Sequence, residues 1–347
     1  MRGFRKQGAG MGHGARAKGL LLLALLTVLA LGGCHRGSTR ARKEPSKEKS
    51  LTSVPAFSAD SAYSYVQKQL EFGPRVPGTP AQEACSAWLA GKFRSFGADV
   101  IVQKAEVKVY DGKMVPMRNI IARIEPENNN RILLMAHWDT RPFADQDPDP
   151  ALRDKPIPGA NDGASGVGVL LELARDLQGK STPLGIDLVL FDVEDYGAPE
   201  GEDNEGTTDD WCLGSQYWAR HPHISGYFAR YGILLDMIGA SDATFSQEEV
   251  SRYYAQSVLD KVWTEAHKLG YSKYFTFQQT PQLIDDHRYV NEITGIPCID
   301  IIHYDPTTTS GFPSYWHTHQ DDIGHVSRKT LTAVGNTLLN VIFNEKL

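Results

Sequence analysis

Three short apolar runs end on acids or an imidazole. Ile132–Ala136 (ILLMA) leads to His137 and Asp139, Ile186–Phe191 (IDLVLF) to Glu194 and Asp195, and Tyr231–Leu235 (YGILL) to Asp236. Apolar runs of this length fit strands that are covered on both faces. In an open α/β sheet, the carboxyl ends of such strands line the crevice that holds the ligand. Asp162 in GANDGASG and His317 in YWHTHQDD stand outside these runs but add the same chemistry. Carboxylates and imidazoles are oxygen and nitrogen ligands suited to zinc. The chain is therefore constrained to a sheet with a metal site at one end.

Helical patterns alternate with these strands. SADSAYSYVQKQLEFG opens on a serine cap at Ser58, and AQEACSAWLAGKFRSFG, Gly163–Leu177, GSQYWARH, Glu248–Leu269, DDHRYVNEI and the C-terminal SRKTLTAVGNTLLNVIFNEKL carry helical spacing or caps. DVIVQKAEVKVYD and MVPMRNIIARIEP flank a turn at Asp111-Gly112 and read as a hairpin. This order predicts an α/β class protein, a three-layer α/β/α sandwich around a central mixed, mostly parallel sheet.

The first 34 residues read as an export signal. Basic residues precede LLLALLTVLAL, which is short for a membrane span, and Leu31-Gly32-Gly33-Cys34 has the layout of a lipobox. Residues 35–55 form a polar tether that cannot bury enough apolar surface to fold, and 56–347 form one catalytic domain. The expected location is the Gram-negative cell envelope, with the chain lipid-anchored at Cys34 on a periplasmic face or at the outer membrane. Of 36 Lys/Arg and 42 Asp/Glu, residues 1–50 hold 11 and 2, so the tail carries +9 and the remainder −15. An acidic folded part argues against nucleic acid as a partner. Cys85, Cys212 and Cys298 allow at most one disulfide, and no CxxC spacing supports a thiolate metal site. The acidic loop 198–210 has the composition of a solvated lid, and its oxygen density also suits calcium.

Taken singly, the acids have ordinary explanations. Asp162 precedes a helix and could cap it; one of Asp285 and Asp286 could do the same before DDHRYVNEI; Asp236 could be a strand-end turn residue. Asp139, two residues beyond His137, would share its strand face and could accept the other ring hydrogen of that histidine. The adjacent pair Glu194-Asp195 is more specific. Two acids after a wholly apolar strand need a cation or an amine to compensate them, and one can bind metal while the other moves protons.

The motifs AHWDTRP, GANDGASGVGVLLELAR, FDVEDYG, LLDMIGA, DDHRYV and YWHTHQDD resemble, in this order, the zinc-aminopeptidase-like fold, and most closely the glutaminyl-peptide cyclotransferases of the animal type in a bacterial form. The resemblance runs from about Phe57 to the C-terminus. It implies one Zn2+ per chain held by Asp162, Asp195 and His317, with Glu194 as general acid/base. Asp285 and Asp236 would join Glu194 in its hydrogen-bond network. Trp316 and Phe312 would line the pocket for a glutaminyl side chain, and His137 and Asp139 would stand behind the metal. Two departures matter. Asp195 replaces a glutamate ligand, and Glu200 stands where the family has a pocket tryptophan, so Trp211 is expected to supply that ring. The cysteines that flank the first two motifs in animal members are absent, so that disulfide is not expected.

The implied reaction converts the N-terminal glutamine of peptides or proteins to pyroglutamate with release of ammonia, by a monomeric enzyme that meets the membrane only through its lipid anchor. A two-zinc aminopeptidase is the alternative, because His137, Asp162, Asp195, Asp236 and His317 would also make a two-metal ligand set.

Overall fold

Alternation along β3 (Arg131–His137) sets the layering. Ile132, Leu134 and Ala136 face one core, while Leu133 and Met135 face another. The same alternation holds in β4 (Gly185–Phe191), β5 (Gly232–Asp236) and β8 (Cys298–Ile302), whose residues are all buried. Each fully buried Leu or Ile contributes about 1.5–3 kcal/mol, so the continuous apolar runs demand helices on both faces. In this computed structural model, residues 53–199 and 210–346 are described. The leader, the lipobox, most of the tether, Glu200 and most of the acidic loop lie outside them.

The six-stranded sheet has the order β1-β2-β4-β3-β5-β8, with β1 spanning Asp99–Lys108 and β2 Met114–Ile124. β2 is antiparallel to both its neighbours, and the β4–β3, β3–β5 and β5–β8 pairings are parallel. The larger core is closed by α1 (Ala59–Leu70), α2 (Pro80–Ser95), α3 (Ala164–Leu177), α5 (Glu249–Lys268) and α7 (Arg328–Phe343). Trp218 of α4 (Leu213–Arg220) and Val290 of α6 (Asp286–Thr294) cover the opposite face. The chain is thus a three-layer α/β/α sandwich with a mixed, mostly parallel sheet.

The helix starts answer two questions that the residues alone leave open. Gly163, at φ 89°, is the N-cap of α3 and makes no side-chain cap bond, so Asp162 is free of the capping role. Asp285 does cap α6, accepting the N–H of Asp286 at 2.6 Å. A second sheet, β6 (Phe245–Gln247) against β7 (Phe275–Gln279), was not expected. Three residues such as Phe-Ser-Gln are too few to show alternation. Cys85, Cys212 and Cys298 are free and buried.

Candidate metal centre and active site

The site gathers where β3, β4 and β5 end. Beyond β4 the chain turns through Val193, whose φ of 55° is a genuine outlier for a β-branched residue. The turn is held from three sides. Val193 O accepts Leu213 N–H at 3.0 Å, and Glu194 O accepts Cys212 N–H at 2.8 Å. The buried Asp139 carboxylate accepts Glu194 N–H at 3.1 Å and Asp195 N–H at 3.2 Å. That last contact corrects the orienting role expected of Asp139. Its oxygen is 3.6 Å from His137 Nδ1, outside hydrogen-bond reach but at ion-pair distance, and Glu194 Oε2 stands 3.7 Å from the same nitrogen. β3 ends at His137, so Asp139 leaves the strand face and meets backbone amides instead.

A second carboxylate works in the same way. Asp321 accepts Asn161 N–H at 2.8 Å and Asp162 N–H at 3.0 Å. Asp139 and Asp321 thereby fix the backbones that carry Asp195 and Asp162.

The Asp162 carboxylate divides between two imidazoles. Oδ1 is 3.0 Å from His137 Nε2, and Oδ2 is 3.6 Å from His317 Nε2. His317 Nε2 is also 3.1 Å from Asp195 Oδ1, and His137 Nε2 is 3.0 Å from Asp236 Oδ1. Two ligand groups result, Asp162/Asp195/His317 and His137/Asp162/Asp236, each with its donor atoms within 4.8 Å of one another.

The first group fits zinc. Ligands at zinc bond lengths in a tetrahedron stand about 3.3 Å apart, and the 3.1 and 3.6 Å separations bracket that spacing. Asp195 Oδ2 is buried without a hydrogen-bond partner, as expected of an atom awaiting a cation. Burial, with Asp162 alongside, raises the Asp195 carboxyl above its usual range despite His317.

Sequence reasoning missed the support for His317. Arg141 is buried, forks onto Asp145 at 2.8 and 2.6 Å, and donates to the Asp195 carbonyl at 3.1 Å. Asp145 Oδ1 in turn stands 3.5 Å from His317 Nδ1. Burial would raise Asp145, but Arg141 and His317 hold it well below the usual carboxylate range. His319 does not join the site; it pairs with Asp147 at 3.2 Å. Arg141 and Asp145 lie just past AHWDT, so the fork was readable only as a possible i, i+4 pair.

Glu194 faces Asp285 and Cys212, whose Sγ is 3.3 Å from Oε1. Burial pushes its carboxyl well above the usual range; His137 opposes this, and Asp195, Asp285 and Asp286 add to it. Burial likewise carries Asp236 to about 7 against the pull of His137.

The aromatic walls meet around His317. Trp316 stacks on its ring at 3.6 Å between centroids, Trp211 lies parallel at 6.2 Å, and Phe312 packs on Trp316 at 4.7 Å. A cavity of about 70 Å3 is lined by the first ligand group together with Glu194, Asp236, Asp285, Trp211, Phe312 and Trp316. His137 and Asp139 lie beneath this lining. A wider hollow of about 360 Å3 opens beside it, sharing Trp211, Trp316 and His317.

Residues 119–342 match peptidase family M28. This chain belongs to that family. The glutaminyl cyclase of Tannerella forsythia superposes with a TM-score of 0.82 at 53% identity, covering 84% of this chain and all of that one. A zinc-dependent exopeptidase from Parabacteroides distasonis superposes with a TM-score of 0.83 at 50% identity, over 84% of this chain and all of its own. Aminopeptidase YwaD of Bacillus subtilis is 28% identical over 65% of this chain, and the match spans only 44% of that relative's length. The M28 membership and the cyclase likeness agree with the resemblance read from the six motifs. The chain is an M28 enzyme whose near relatives carry both cyclase and exopeptidase names.

Proposed function

We propose that this M28 enzyme is a glutaminyl-peptide cyclotransferase with one zinc per chain. The observation that carries the reading is the small cavity in which Glu194, Asp285 and the ligand group Asp162/Asp195/His317 share aromatic walls. In cyclisation the reacting amide ends a side chain that these walls would hold, and the wider hollow beside the cavity would take the rest of the peptide.

Zinc bound by Asp162, Asp195 and His317 would act as Lewis acid toward the side-chain amide of the substrate glutamine. Glu194, its carboxyl raised above the usual range by burial, takes a proton from the α-amine as it closes on the amide carbon. It then returns a proton to the departing nitrogen, so the C–N bond breaks and ammonia leaves. Asp236 and Asp285 flank that transfer, and Trp211, Phe312 and Trp316 exclude bulk water that would hydrolyse the amide. One ion per chain is what the resemblance to the cyclases implies, and the group His137/Asp162/Asp236 would hold the second ion of the alternative aminopeptidase.

The deciding experiment mixes the zinc-loaded protein with a glutaminyl peptide and measures ammonia, pyroglutamyl product and zinc content. Ammonia without peptide cleavage, one zinc per chain, and loss of turnover in Glu194→Gln are expected. Free amino acids released with two zinc ions per chain would establish the aminopeptidase instead. The lipobox supports a lipid anchor at Cys34 in a Gram-negative envelope, and no helix among the described residues is long and apolar enough to cross a membrane. Fatty-acid labelling that is abolished in Cys34→Ser tests the anchor.

A further inference from the structure

Glu194 must turn its carboxylate toward the substrate amine, yet it stands on a turn beyond the end of β4. A glutamate side chain has three rotatable bonds, so restraint of its backbone does not aim it. Cys212, the N-cap of α4, reaches both ends of this residue. Its N–H donates to the Glu194 carbonyl at 2.8 Å, and its Sγ–H donates to Glu194 Oε1 at 3.3 Å. Among the described residues no other group donates a hydrogen bond to the Glu194 carboxylate. Oε2 is 3.7 Å from His137 Nδ1, beyond that reach.

Cys212 is itself held firmly. It is fully buried, and its φ is 56°. Its carbonyl accepts Gln216 N–H and Ser215 Oγ–H, each at 3.0 Å, while the next residue, Leu213, donates its N–H to Val193 O. The sulfur is therefore presented from a point tied to α4 on one side and to the active turn on the other. Burial pushes the thiol well above its usual range, and the neighbouring acids Glu194, Asp286 and Asp285 add to this. It stays an S–H, so the sulfur is the donor and Glu194 Oε1 the acceptor. A thiol donates weakly. It can thus direct the carboxylate and still leave it free to take up and return a proton.

We propose that Cys212 is a positioning residue that aims the Glu194 carboxylate at the substrate amine through its S–H donor. The kinetic consequence rests on the cyclase reading; the S–H···O bond does not.

Cys212→Ala removes the donor and keeps the backbone bond. The expected result is a loss of kcat by roughly ten- to a hundredfold, the cost of a reacting group misplaced by about 1 Å, with KM and zinc content unchanged. Cys212→Ser restores a donor at the same place and should bring most of kcat back. Cys212→Gly also lacks the donor, is at ease at positive φ, and covers the case of an unfolded alanine variant. Infrared spectra supply the second arm, because the S–H stretch falls in a region free of other protein bands. Subtracting the spectrum of Cys212→Ala from that of the wild type isolates this thiol. Its band should lie below that of a free thiol and should shift in Glu194→Gln. A band at the free-thiol position that ignores Glu194→Gln overturns the bond. Full kcat in the alanine or glycine variant, a serine variant as slow as alanine, or zinc loss matching the loss of kcat overturns the positioning role. Absence of ammonia release by the wild type would defeat the cyclase reading alone, leaving the infrared arm intact.

Discussion

Asp139→Asn isolates the clamp that shapes the active turn. The substitution keeps the volume of the side chain and replaces one acceptor oxygen by an NH2 group. Both oxygens of Asp139 are engaged, with Glu194 N–H at 3.1 Å and Asp195 N–H at 3.2 Å. Asparagine can satisfy one of those amides, and its own N–H groups then face the other. A hydrogen bond to a charged acceptor contributes about 1.5–3 kcal/mol, and a buried donor left unpaired costs about 1–3 kcal/mol. These terms overlap, so the net cost is about 2–4 kcal/mol. In a domain of this size each kcal/mol lowers Tm by about 2–4 °C, giving a fall of roughly 5–15 °C. Function should suffer more than stability. The same amides carry Glu194 and the proposed ligand Asp195, and a misplacement near 1 Å costs about a hundredfold in rate. Calorimetry and ammonia release on one protein batch, each with zinc content measured, are the assays. A Tm within about 1 °C of wild type together with kcat/KM within about twofold would show that the clamp is dispensable, and the account of this turn would fail.

Three further outcomes follow from the same geometry. In Gly163→Ala a Cβ would stand 2.7 Å from Asp139 O and 3.2 Å from His137 Cε1 at a φ of 89°; about 2–5 kcal/mol of strain and overpacking should appear in urea unfolding, with weakened zinc retention on dialysis. Trp316→Ala removes the ring stacked on His317 and should lower kcat/KM roughly ten- to a hundredfold, and unchanged kinetics would remove Trp316 from the pocket. Glu248 is buried, but His287 and Ser251 bring its carboxyl down to about 2. Its contribution of about 3 kcal/mol is complete above the unfolded value near 4.3 and is lost as pH falls toward 2. The stability gap between wild type and Glu248→Gln should shrink over that interval, and a constant gap in urea titrations would refute the assignment.

The sheet and the candidate metal ligands were legible because burial on both faces writes β3, β4, β5 and β8 as largely apolar runs, interrupted inside only by Asp187 and Asp300. Their ends then mark where polar side chains can be exposed to a ligand. Asp162 was legible only as one of two options, since an aspartate before a helix reads equally as ligand or cap; Gly163 at the cap position decides it. Asp139 was misassigned for a related reason. Residue spacing describes an ideal strand, and β3 stops two residues too early. Arg141, Asp145, Cys212 and Asp321 act through contacts with distant segments, so nothing local in the sequence distinguishes them. Asp321 was in view within YWHTHQDD, but its bond to Asn161 crosses 160 positions. The β6–β7 pair escaped because β6 has only three residues and β7, exposed over its last three, carries no apolar run.

Backbone strain and carboxylate clamps explain each other at this site. Among the described residues, five other than glycine have positive φ, and four of them are Val193, Cys212, Met237 and His317. Val193 precedes Glu194, Cys212 touches it, Met237 follows Asp236, and His317 is itself a proposed ligand. Each such conformation costs on the order of 1–3 kcal/mol and persists only where surrounding bonds overdetermine it. Asp139 and Asp321 supply that restraint around Glu194, Asp195 and Asp162. A relaxed turn would let these carboxylates separate, since burial and mutual repulsion both oppose their meeting. The clamps oppose that separation by holding the backbone amides of Asp162, Glu194 and Asp195. Removing zinc should leave the carboxylates close to their places while loss of a clamp should not, so the clamps, more than the metal, define the shape of the site.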